Sequence, residues 1–64
     1  MCEFKVYLEK ECGRVKVAED VIHAKMEDGK LILVDVLGTT KVFENTIIRE
    51  VNVGKEELII TTLR

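Results

Sequence analysis

From Cys2 to Glu9 the chain alternates without a break: Cys2, Phe4, Val6 and Leu8 fall on one side, Glu3, Lys5, Tyr7 and Glu9 on the other. Period two is the pattern of a β-strand with one face buried. β-Branched segments continue along the chain and predict strands at roughly 2–9, 14–19, 21–27, 30–36, 41–44, 46–53 and 57–63, some of them merging or curving into one another. In VIHAKM, Ile22, Ala24 and Met26 share one face, while Val21, His23 and Lys25 share the other. KLILVDV is almost continuously apolar, as expected for a strand covered on both faces. TIIREVNV comes nearest to a helical spacing, but its β-branched content favours a strand.

Glycine supplies the punctuation. Asp28-Gly29 suits the positive φ angles of a type I′ hairpin turn, KECGR closes the first hairpin, and LGTT (37–40) and VGKEE (53–57) read as turns. About six short antiparallel strands joined by tight turns predict an all-β fold, a small SH3-like or Sm-like partly open barrel. The alternative is an open meander completed by pairing across a dimer.

Composition narrows the picture. Sixty-four residues make one domain (1–64), and 47% of them are hydrophobic with no Trp, so the core is aliphatic. A single core of this size supplies about 3–5 kcal/mol, which makes homodimerisation a natural supplement. Ten basic residues, none adjacent to another, against twelve acidic ones leave no electrostatic footprint for nucleic acid. Phe4 and Tyr7, on opposite faces of the first strand, make no base-stacking platform. With no membrane-length apolar run and no signal peptide, the expectation is a cytoplasmic protein that does not engage membranes.

Candidate chemistry is sparse. Serine is absent and His23, on the polar side of its segment, is the lone histidine, so no nucleophile pair is legible and no enzyme is expected. Cys12 reads as an exposed turn thiol. It stands at the far end of the first hairpin strand from Cys2. Roughly ten extended residues at ~3.3 Å each separate the two, whereas a disulfide needs Cα atoms within about 7 Å.

Cys2 is the exception, because it lies beside the Met1 amine. That amine, the Cys2 amide nitrogen and the Cys2 thiolate can close two fused five-membered rings around a metal. If Met1 is removed, the amine and thiolate of Cys2 still form one ring. Deprotonated amide nitrogen demands a strong-field, square-planar ion, Ni(II) or Cu(II). The alternative is that Cys2 is a small buried hydrophobe at the start of a strand.

The MC start, the strand CEFKVYLEK, the turn-and-strand GRVKV and the Ile/Val/Leu-rich remainder resemble the CooT family, small accessory proteins associated with nickel delivery to carbon monoxide dehydrogenase. The resemblance spans nearly the whole chain. It implies a homodimeric SH3-like or Sm-like β-barrel that binds Ni(II) through Cys2, with carbon monoxide dehydrogenase or its maturation proteins as partners. Cys12 is not part of the family pattern. Analogy with Sm-like folds makes an RNA-binding module the alternative function.

Overall fold

A computed structural model describes residues 3–63. Six strands, β1 (Phe4–Lys10), β2 (Gly13–Glu27), β3 (Lys30–Asp35), β4 (Thr40–Glu44), β5 (Thr46–Asn52) and β6 (Glu57–Thr62), form one curled half-barrel sheet in the order β4-β3-β2-β1-β6-β5. The alternation in β1 sorts as its sequence predicts: Val6 is fully buried, and Phe4 and Leu8 pack against the core cluster around it. The two segments expected at 14–19 and 21–27 are one fifteen-residue strand. It bends at Asp20, where φ is 57°, and its register slips between Val21 and His23. Its first half therefore pairs with β1 and its second half with β3.

Asp28 (φ 53°) and Gly29 (φ 76°) adopt the two positive angles of a type I′ turn, with Glu27 opposite Lys30. In KLILVD, Leu31 and Leu33 are fully buried while Ile32 and Val34 are half-covered, so the second face is only partly shielded. The core joins these leucines to Val6, Ala18, Val21, Leu58 and Ile60. Ile59 is also buried, on the opposite face of β6, with Tyr7 and Glu50 as its cross-strand neighbours. An ion network lies on β1, β2 and β5: Glu9 Oε1 meets Arg49 Nε at 3.3 Å and Arg14 at 3.8 Å. That oxygen accepts no aligned hydrogen bond, and the two guanidinium groups compensate it electrostatically.

One expectation is corrected. The strands are not all antiparallel, because β1 and β6 run parallel, with Val6 opposite Leu58 and Leu8 opposite Ile60. The cause is the corner at Asn45. This single residue, at φ 54°, joins β4 to β5 without reversing the chain, so one hairpin reversal is skipped. The Thr46 hydroxyl, on a residue only 3% exposed, donates to Glu44 O at 2.9 Å and keeps the corner free of an unpaired polar group. The strand run Thr40–Asn52 thus crosses from one end of the sheet to the other and curls it.

Candidate functional site

Met1 and Cys2, the predicted metal ligands, lie outside the described residues. Their attachment point is described in full. Phe4 begins β1 and pairs with Val21 of β2, the last pairing of these two strands in that direction among the described residues. Lys5 donates its backbone N–H to Glu56 O at 3.0 Å, locking the strand end onto the β6 side.

Beyond Val21, the second half of β2 keeps β3 on one edge only. Its other edge opens onto a groove of about 240 Å³, lined by Phe4, Val21, Ile22, His23, Ala24, Ile48, Val51 and Leu58. The lining is apolar apart from His23, and it draws on four strands. Sequence reasoning missed it. Its residues are scattered singly along the chain, and only the register slip after Val21 and the curl at Asn45 bring them together.

The other chemical candidates stand where the sequence puts them. His23 is exposed, as its polar-face position implies. Cys12 is an exposed free thiol in the turn between Lys10 and Gly13, beside a shallow recess with Glu9, Lys10, Arg49 and Thr61. Seven extended residues of β1, about 20 Å at ~3.3 Å per residue, separate this turn from the Phe4 end of the strand. Among the described residues no three His, Cys, Asp or Glu side chains converge on a metal position. Also among them, no helix is long and apolar enough to cross a membrane.

A curled six-stranded half-barrel whose first strand ends beside an open apolar groove belongs to the class of small SH3-like and Sm-like domains. Within that class, the family described as CO dehydrogenase accessory protein CooT matches residues 1–61, and the chain belongs to it. Membership implies an accessory role toward CO dehydrogenase. No curated protein sequence matches the chain.

Proposed function

We propose that this protein is a nickel-binding accessory protein, not an enzyme, that holds Ni(II) at its N-terminus and passes it to carbon monoxide dehydrogenase or to that enzyme's maturation proteins in the cytoplasm. The observation that carries the reading is that the family match begins at residue 1 and runs across Cys2. The donor set fits the ion: a thiolate, an amine and a deprotonated amide nitrogen in adjacent five-membered rings favour square-planar Ni(II). Cys2 supplies the thiolate and the amide, and Met1 the amine. Such a site binds only when its donors lose their protons, so uptake and release respond to local acidity.

The working unit is a homodimer. Supporting this, Val15, Ile22, Val42, Val51 and Val53 are all at least 49% exposed, a large apolar surface for so short a chain. Both β1 and β6 are flanked on each side within the sheet, so strand pairing between copies falls to β4, β5 or the edge of β2 beyond Val21. Light scattering at tens of micromolar, with and without nickel, tests the assembly, and a monomer mass under both conditions rejects it.

The site is tested by one nickel titration of four proteins: wild type, Cys2→Ser, Cys12→Ser and an N-terminally extended form. Cys2→Ser loses the thiolate-to-metal charge-transfer band and most of the affinity, while Cys12→Ser keeps both. Wild-type affinity in Cys2→Ser rejects the reading.

A further inference from the structure

Which way the amides of β2 face decides what its bare stretch can take up. Glu27 and Lys30 flank the two-residue turn Asp28-Gly29, so they exchange backbone hydrogen bonds as the last pair of the hairpin. Successive residues of a strand send their N–H and C=O groups to opposite edges. Lys25 and His23 therefore bond to β3 as Glu27 does, and Ala24 and Met26 turn their N–H and C=O groups to the other edge. Among the described residues no strand pairs with β2 on that edge beyond Val21, whose partner there is Phe4. Backbone donors and acceptors in a row beside an apolar groove call for a strand, not a small molecule or a lipid. The two outer strands are poorer templates: β4 has five residues, and β5 is bulged between Ile48 and Glu50.

The bare stretch is complementary to itself. Reading outward from Ala24, Ile22 (52% exposed) lies two residues one way and Met26 (40% exposed) two the other, with His23 and Lys25 between. Resting on the homodimer reading above, we propose that a second copy docks here, its own Ile22–Met26 antiparallel to this one, on a two-fold axis through Ala24. Ala24 then exchanges two backbone hydrogen bonds with the partner's Ala24. Ile22 stands opposite the partner's Met26, and Met26 opposite the partner's Ile22, so both exposed apolar side chains are covered. Residues whose N–H groups face the edge must meet their like, so the axis passes through a residue, not between two. An axis through Lys25 sets that residue directly opposite the partner's Lys25, a like-charge pair. An axis through His23 needs the edge of Val21, which Phe4 already holds. One through Met26 leaves only Lys25–Glu27 to pair before the turn. In the remaining register the partner's Met26, unbranched and adaptable, arrives at Ile22 and fills the groove beside Phe4, Val51 and Leu58. Each groove is thus completed by the other copy, and the two sheets run on as one.

Light scattering and amide hydrogen exchange test this, each with and without nickel. Ile22→Lys and Met26→Lys, both at exposed positions, each weaken the dimer at least tenfold and leave the circular dichroism spectrum unchanged. Val42→Lys on β4 and Ile47→Lys on β5 leave the dimer intact. In the wild type, dilution from dimer to monomer speeds exchange of the Ala24 and Met26 amides at least tenfold, while the Lys25 and Glu27 amides, bonded to β3, hold their rates. A wild type that is monomeric at tens of micromolar under both conditions overturns this docking together with the homodimer. A dimer that survives Ile22→Lys and Met26→Lys, or that falls apart in Val42→Lys or Ile47→Lys, overturns the docking alone. Protection of Ala24 and Met26 that is the same at every concentration also overturns it, because a segment of the same chain then holds the edge.

Discussion

The backbone N–H of Leu63 donates to the carbonyl of Asn45 at 2.6 Å, tying the end of the last strand to the corner where β4 passes into β5. The bond uses the Asn45 main chain, so what its side chain must do is tolerate φ 54°. Asparagine and aspartate are the β-carbon-bearing residues that do this most readily. Asn45→Gly should leave thermal stability within a few tenths of a kcal/mol, whereas Asn45→Val should cost about 1–3 kcal/mol. Thermal melts followed by circular dichroism separate the two, and equal midpoints would show that the corner is unstrained.

Leu33 is 1% exposed in a core cluster of seven buried apolar side chains. Leu33→Ala should cost about 2–5 kcal/mol, against a total of about 3–5 kcal/mol for a domain of this size. The variant should show little or no cooperative unfolding transition at 25 °C. Val53→Ala, at a position 67% exposed, should stay within about 0.5 kcal/mol of wild type in urea titrations.

Nickel affinity should climb steadily with pH through neutrality. The sign follows from protons released on binding: thiol, amine and amide all bind fewer protons in the complex than in the free protein. A thiol with an ordinary pKa of about 8.5 is still mostly protonated at pH 7, so the slope is steep there. An N-terminal extension, which removes the amine, should flatten the slope and lower affinity together. Isothermal titration in buffers of different ionisation enthalpy counts the protons, and a count of zero rejects the chelate.

Lys16 Nζ donates to Glu19 Oε1 at 2.9 Å, and this bond, with the attraction between the two charges, holds the Glu19 carboxyl below the usual carboxylate range and lifts Lys16 above its own. A depressed carboxyl stabilises the fold above its unfolded pKa and loses that contribution as pH falls through the folded one. Both side chains are about half exposed, so solvent screens the pair. Glu19→Gln should leave the melting temperature unchanged, and carboxyl-carbon NMR of the wild type should still show Glu19 titrating below the usual carboxylate range.

Much of this fold is legible in residue alternation and turn chemistry. The two faces of β1 follow from Cys2–Glu9, the hairpin at Asp28-Gly29 from two residues that accept positive φ, and the exposed Cys12 from its place between Glu11 and Gly13. The parallel pairing of β1 with β6 is not, because it depends on whether Asn45 reverses the chain or carries it forward. A single dihedral decides that, and either outcome suits the local sequence. The bend at Asp20 is hidden for the same reason, and the groove needs both bends before Phe4, Ala24, Val51 and Leu58 can meet. The proposed metal chemistry runs the other way: it rests on the covalent order of Met1 and Cys2, which needs no fold to be read.

The parallel neighbours β1 and β6 are the first and the last of the six strands in chain order, so β1 is synthesised well before β6. As the chain leaves the ribosome, β1 and β2 can form their hairpin early, but the other side of β1 stays bare until Glu57–Thr62 emerges. Loop closure over almost the full length makes that step slow compared with the hairpins. Only then does Glu56 accept from Lys5 and fix which way the amides of the first strand face. The Phe4 end of β1 is thus oriented by the strand that comes last in chain order, and β1 reaches its final place in the sheet only once β6 is available to pair.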